Sequence, residues 1–234
     1  MTSAAPASVD RDLGRTTWPE VPAGSLVLVP VGSTEQHGPH LPVSTDTVIA
    51  VAVADGVAAA LPAPVLVTPP IAFAASGEHA GFPGTVSIGA EVLQAVLVET
   101  IRSLSLWAAR IVLVNGHGGN VPTVSRVVAQ MRSEGHAVSW VPCAVPGGDA
   151  HAGRTETSLL LHLDPSAVRL DEATAGDVRP IEQLLPQLVA AGVRAVSPSG
   201  VLGDPAGATP AEGRELLAAM IAGAVDALGA GAAR

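Results

Sequence analysis

Residues 25–31 read Ser25-Leu-Val-Leu-Val-Pro-Val31, and residues 110–114 read Arg110-Ile-Val-Leu-Val114. Both are short Val-rich runs with no polar alternation, the pattern of strands covered on both faces. Gly24 and Gly32 bound the first. Val65 to Pro69 and Ala137 to Val141 read as two further strands. Helical stretches fall between them. Asp46 to Leu61 is one, with Asp46 placed to cap it. Ile88 to Ala109 carries Leu93, Val96, Leu97, Ile101 and Leu104 at helical spacing. Asn120 to Glu134, Thr155 to Leu163, Pro180 to Ala191 and Ala211 to Leu228 complete the set. Pro142 to Arg154 and Pro198 to Pro210 read as Gly/Pro loops. Strands alternating with helices predict an α/β fold with a mostly parallel sheet. No repeat or linker interrupts it, so residues 16–234 are expected to form one domain. Residues 1–15 are expected to be a flexible N-terminus, frayed to about Asp10.

Composition narrows the chemistry. The chain has 234 residues, a net charge of −9, one Cys and no Tyr. All of its 12 basic residues are Arg. Without Lys there is no P-loop and no Schiff-base nucleophile. A single Cys143 excludes a disulfide framework, a Cys-rich zinc site and an iron–sulfur cluster. An acidic chain with scattered Arg is not expected to bind nucleic acid. The most apolar stretch, Val48 to Leu61, is interrupted by Asp55 and is shorter than the about 20 residues of a membrane span. The N-terminus does not read as a signal peptide. A cytoplasmic protein with no membrane partner is the expectation.

The rare polar residues are gathered. The chain has seven His. His37 and His40 lie in Gly32-Ser-Thr-Glu35-Gln-His37-Gly-Pro-His40-Leu-Pro-Val-Ser-Thr-Asp46, directly after the first strand. His117 lies in Asn115-Gly-His117-Gly118-Gly119-Asn120, directly after the third, between the chain's only Asn residues. His79 follows Glu78, and His151 opens His151-Ala-Gly-Arg-Thr-Glu156-Thr-Ser. In a parallel sheet, ligands bind beyond the carboxyl ends of the strands. Polar groups left unpaired there are costly, so a shared partner is expected.

His, Glu and Asp without Cys suit a divalent first-row metal such as Zn, Mn or Fe. In an extended segment Glu35 and His37 point the same way. Asp46 is placed to bridge two ions, His117 approaches from the neighbouring strand, and Glu156 comes from the start of a helix. Five such donors suffice for two ions about 3.5–4 Å apart. Each residue taken singly also fits a plainer role. Glu35 to His37 could be a polar loop, Asp46 a helix cap, Glu156 a carboxylate favoured by a helix N-terminus. His151 fits a general acid/base or a loop hydrogen bond, and Glu78 and His79 fit groups around a substrate. His40 reads as structural, His136 and His162 as ordinary surface residues.

The three motifs at Gly32–Asp46, Asn115–Asn120 and His151–Ser158 together resemble the creatininase family of metal-dependent amidohydrolases. The resemblance spans roughly residues 20–165. It implies a single three-layer α/β/α domain, two divalent metal ions per subunit (Zn, Fe or Mn), and a homo-oligomer, a hexamer or octamer, built from dimers. It further implies that Glu35, Asp46 and His117 hold one ion and that His37, Asp46 and Glu156 hold the other. Creatininase itself has a carboxylate two residues after the His that matches His117. This chain has Gly119 there, which leaves Glu156 as the substitute and argues against creatinine as substrate.

Within the family, Ala74-Ala-Ser-Gly-Glu78-His79-Ala-Gly-Phe82-Pro-Gly-Thr85 and Gly200-Val-Leu-Gly-Asp204 are similar to the peptidases of the mycofactocin system. Those release a modified Val–Tyr-derived dipeptide from the C-terminus of a small precursor peptide. The resemblance implies that peptide as substrate. His151 and Glu78 are then expected to move protons, and His79, Gly118, Gly119 and Asn120 to line the substrate. An amidohydrolase acting on a cyclic amide or formamide, and a non-catalytic metal-stabilised scaffold, stay open on sequence alone.

Overall fold

Side chains alternate along the central strands, and both faces are covered. In β1 (Leu26–Val31), Val27, Val29 and Val31 enter one core while Leu28 enters another. In β3 (Arg110–Asn115), Ile111 and Leu113 join the first core, Val112 and Val114 the second. This period of two, with neither face wet, explains the unbroken apolar runs. With β2 (Val65–Val67) and β4 (Val138–Pro142) they form a four-stranded sheet in the order β2-β1-β3-β4. All three pairings are parallel, with Leu26 opposite both Val65 and Arg110. The structure is a computed structural model and describes residues 11–62 and 64–231. The fraying expected as far as Asp10 lies outside those residues. Arg11 and Leu13 hydrogen-bond to both sides of Val67, extending the sheet edge.

Two helical layers sandwich the sheet. α1 (Thr45–Ala60), α4 (Arg154–Leu163) and α7 (Pro210–Gly231) cover one face. α2 (Gly89–Leu104) and α3 (Val121–Ser133) cover the other. The three-layer α/β/α fold is therefore present. α5 (Ile181–Ala191) and the single-turn α6 (Val193–Val196) stand apart. Their Leu184, Leu188 and Val193 pack with Leu202 and Phe82 in a small separate cluster. The turn of α6 was not expected from the sequence. Gly192, at φ 74°, ends α5 and starts it.

The second helix ends at Leu104, short of the expected Ala109. The Ser105 hydroxyl bonds back to the Ile101 carbonyl at 2.7 Å, and Ala109 N–H already donates to Ser25, one residue ahead of β1. The chain is by then committed to entering β3.

Because β1 leads through α1 to β2 on one side and β3 lies on the other, the strand order reverses between β1 and β3. Their carboxyl ends form the crevice in which α/β sheets hold ligands. The first turn of α1 comes close to this crevice. A Cβ placed on Gly116 would lie 2.5 Å from the Asp46 carbonyl oxygen and 3.2 Å from Ala50 Cβ. Only glycine lets the end of β3 approach α1 this closely. Gly116→Ala is expected to lower stability by about 2 kcal/mol, a fall in Tm of roughly 4–8 °C. Gly223→Ala, on an exposed part of α7 with nothing within 4 Å, is expected to leave Tm unchanged or raise it. Thermal melts followed by circular dichroism check both. Equal melting of Gly116→Ala and wild type would refute the packing argument.

Candidate metal centre

The residues after β1 turn inward. Glu35 and His37 are wholly buried, and Asp46, in the first turn of α1, is nearly so. Asp46 does not cap its helix as expected. α1 already begins at Thr45, and the Asp46 carboxylate faces two histidines. Its Oδ1 is 3.0 Å from His37 Nε2, and its Oδ2 is 3.2 Å from His117 Nδ1. Ser33 donates to that second oxygen at 2.8 Å. Glu35 Oε1 lies 3.2 Å from both His117 Nδ1 and His79 Nε2, and 3.8 Å from His151 Nδ1. Glu156 Oε2 lies 3.7 Å from His37 Nε2.

Second partners fix the rings. A carbonyl oxygen only accepts, so His37 Nδ1 donates to Glu35 O at 3.1 Å and turns its Nε2 toward the carboxylates. By the same reasoning His117 Nε2 donates to Ala75 O at 3.1 Å, and His151 Nε2 to Gln36 O at 2.8 Å. Their Nδ1 atoms then face the centre. Glu156 is set by the loop before it. Asp149 accepts the backbone N–H groups of Arg154 and Thr155, and Ala152 N–H donates to Glu156 Oε2 at 2.6 Å. Ala152 adopts φ 53° to do so, unusual for a residue with a Cβ.

The electrostatics report a surplus of negative charge. Burial opposes a charge on His37, yet Asp46, Glu156 and Glu35 outweigh it and raise its pKa to about 10. Burial likewise disfavours His117⁺, but Glu35 and Asp46 lift its pKa well above the usual range. Burial would raise Asp46, but His37 and His117 hold it well below an ordinary carboxylate. Glu156 is pushed up to about 7, chiefly by burial, against the pull of His37. His151 goes the other way, well down, through burial and the neighbouring His37 and His79.

This donor set fits divalent cations. Both carboxylate oxygens of Glu35 are buried without a hydrogen-bond partner, a costly state unless a cation answers them. Among the described residues, three groups have donor atoms within 4.8 Å of one another: Glu35, Asp46 and His117; His37, His151 and Glu156; and Glu35, His79 and His151. All are nitrogen and oxygen donors. Burial keeps the Cys143 thiol protonated nearby.

The centre opens into a cleft of about 1030 Å³, lined also by Gly118, Gly119 and α5. Gly119 is informative. A Cβ there would overlap Glu78 Oε1 and His117 Nε2. The volume that a side chain at 119 would occupy is thus taken by the carboxylate of Glu78, which stands 3.4 Å from His117 Nε2. Burial would raise Glu78, but His117 keeps its pKa low. Asn120, expected at the substrate, is instead fully buried. It ties Gly32, Ala75 and Asn115 together and does not line the cleft. His40 is buried against Thr157 Oγ1 at 2.9 Å.

Sequence reading missed Ser33 and Gln36. The Gln36 amide nitrogen donates to His79 Nδ1 at 2.9 Å and to the Gly200 carbonyl at 3.0 Å, while the Gln36 backbone carbonyl accepts from His151. Both sit inside the first motif, but a neutral side chain carries no charge pattern to draw notice.

The creatinine amidohydrolase family profile matches residues 14–228. This chain belongs to the creatininase family. A mycofactocin precursor peptide peptidase of Mycolicibacterium smegmatis is 56% identical over 205 residues, covering 86% of this chain and 83% of that one. One of Mycobacterium tuberculosis is 53% identical, covering 90% and 87%. Among solved structures, a Mn creatininase superimposes with a TM-score of 0.74 at 26% identity, covering 93% of this chain and 97% of that one. A Zn–Zn form of a creatininase variant superimposes with a TM-score of 0.76 at 26% identity, covering 93% and 96%. The shared frame explains why donors from β1, α1, β3 and α4 meet. No described helix is long and apolar enough to cross a membrane.

Glu35→Gln keeps the shape and removes the unanswered charge. Bound divalent metal, counted by plasma mass spectrometry, is expected to fall by at least one ion per chain while the circular dichroism spectrum is kept. Ser33→Ala, which frees one Asp46 oxygen, is expected to weaken metal affinity about tenfold. Full wild-type metal in Glu35→Gln would show that the carboxylate answers something else.

Proposed function

We propose that this member of the creatininase family is a metal-dependent peptidase that cleaves a small modified precursor peptide and releases its C-terminal Val–Tyr-derived dipeptide in mycofactocin biosynthesis. The observation that carries the reading is the buried, unpartnered Glu35 carboxylate among histidines at the floor of an open cleft. The identity to peptidases named for that precursor, over most of both chains, supports the substrate.

Glu35, Asp46 and His117 would hold one divalent ion. His37, Asp46 and Glu156 would hold a second; the Asp46 carboxylate lies against both His37 and His117. When bound, such ions supply Lewis-acid polarisation of the scissile carbonyl and a water of lowered pKa. The chain's own residues do the rest. His151 is held neutral by its surroundings, with Nε2–H pinned to Gln36 O, so its Nδ1 lone pair takes a proton from the attacking water. The same nitrogen then gives it to the leaving amine. Glu78 takes part in that proton transfer beside His117, where the space above Gly119 is closed by its carboxylate. Gly118, with nothing within 4 Å of a Cβ, leaves the floor flat for a peptide backbone. His79 lines the same floor. A homo-oligomer built from dimers belongs to the same reading. Trp18 and Leu106, each 86% exposed, are apolar side chains such an interface would cover.

Incubating the metal-loaded protein with the modified precursor peptide is expected to yield the dipeptide product by mass spectrometry, and a chelator should abolish it. His151→Ala is expected to lower kcat about 10²–10⁴-fold with little change in KM. Faster hydrolysis of creatinine or a formamide than of the peptide would replace this reading with a ring or formyl amidohydrolase.

A further inference from the structure

The cleft has a strongly one-sided charge. Glu35, Asp46, Glu78, Asp149 and Glu156 all line it, and Arg194 of α6 is the one Arg among the described lining residues. Arg102, Arg154 and Arg179 each sit against a carboxylate. Arg194 is held differently. Its Nη1 donates to the Gly81 carbonyl at 2.5 Å, and its Cζ stands 5.5 Å from the centroid of the Phe82 ring. A Cβ on Gly81 would lie 3.3 Å from Arg194 Cβ and Cδ, so the aliphatic stem lies along bare backbone. The anchoring is firm, because Phe82 and Val193 pack into one cluster with Leu184, Leu188 and Leu202. One of the five guanidinium N–H donors is used by Gly81. The remaining ones form a fixed fork of the kind that matches a carboxylate.

The wall beside it is apolar. Ile181, Leu185 and Val189, one face of α5, line the cleft at 38%, 54% and 82% exposure. A guanidinium held on Gly81 and Phe82 thus stands next to an apolar stripe. The carboxylates of the metal centre would be taken up by its cations, so away from that centre Arg194 is the one Arg among the described lining residues placed to meet a substrate carboxylate.

We propose that Arg194 is a specificity residue. It binds a carboxylate of the peptide substrate, either an acidic side chain or a chain terminus, and so sets which peptide bond lies over the metal centre, while the α5 stripe takes the apolar residues next to it. The inference rests on the peptidase reading for its substrate class.

The test uses the metal-loaded protein and synthetic peptides of the precursor's C-terminal segment in four forms: acidic side chain kept or changed to its amide, each with the C-terminus free or amidated. For wild type, removing the recognised carboxylate is expected to lower kcat/KM about tenfold or more, and which form does so identifies the source. Arg194→Gln should lower kcat/KM for the carboxylate-bearing peptide by a similar factor and become indifferent to its removal. Arg194→Lys should restore part of the discrimination, since charge returns without the fork. A merely structural role would lower all four peptides equally, and that result, or an unchanged preference in Arg194→Gln, would overturn the proposal. Peptide Kd measured by calorimetry on metal-loaded His151→Ala separates the two readings. Carboxylate-dependent binding that Arg194→Gln abolishes, without turnover by the wild type, keeps the role of Arg194 and removes the peptidase. Binding insensitive to Arg194 removes Arg194.

Discussion

The buried Glu35 carboxylate is the constraint on which the site depends. Neither of its oxygens has a hydrogen bond, and three histidine nitrogens stand 3.2–3.8 Å from one of them. A carboxylate so placed has lost its water and gained no well-aligned donor in exchange. Asp46, also buried, at least has Ser33 and the two histidines. The neighbourhood answers by drawing positive charge: the pKa values of His37 and His117 are raised despite burial. Protons can meet that demand in part. Divalent cations meet it with the geometry that the ring orientations already favour, because the outward-facing nitrogens of His37, His117 and His151 are each committed to a backbone carbonyl.

Holding such a cluster takes a rigid frame, and the fold provides one. The donors come from the ends of two neighbouring strands that are buried on both faces, from the first turn of a helix packed against them, and from a loop clamped by Asp149. The close approach at Gly116 brings β3 and α1 together so that His117 and Asp46 can meet. The cost of gathering charges is met by a well-packed core, with Leu28, Leu113, Leu93 and Leu159 wholly buried around the sheet.

Much of this is legible in the sequence for identifiable reasons. The strands are visible because runs such as Leu26 to Val31 contain no polar residue, which only a doubly covered strand tolerates. The order β2-β1-β3-β4 is not, because no local pattern says on which side of β1 the third strand will pair. Glu35, His37, Asp46 and His117 stand out because titratable residues directly after apolar strands need a reason. The tautomers, the role of Gln36 and the burial of Asn120 do not stand out. They depend on which carbonyl lies opposite which nitrogen, and Asn120 is decided by contacts with Gly32 and Ala75, far away in sequence. Arg194 has the weakest signature of all. An Arg in a short turn after Gly192 looks like any surface residue until Phe82 and Gly81 are seen beneath it.

The pairing of Gly119 with Glu78 shows what such a frame conserves in physical terms. A side chain at 119 and the Glu78 carboxylate compete for one volume beside His117 Nε2, so a chain can carry one or the other. Here the carboxylate arrives from the single turn at Gly77–His79, after β2, rather than from the turn after β3. The electrostatic consequence at His117 is similar, since a negative group 3.4 Å from Nε2 favours the tautomer whose free nitrogen faces Glu35 and Asp46. The steric consequence differs. Gly119 is covered by the Glu78 carboxylate, whereas Gly118, with nothing within 4 Å of a Cβ, presents bare backbone to the cleft. A small ring needs walls close to it to be held, whereas an extended peptide needs a floor it can lie across. Gly118 supplies that floor, while the Glu78 carboxylate closes the space above Gly119 beside His117.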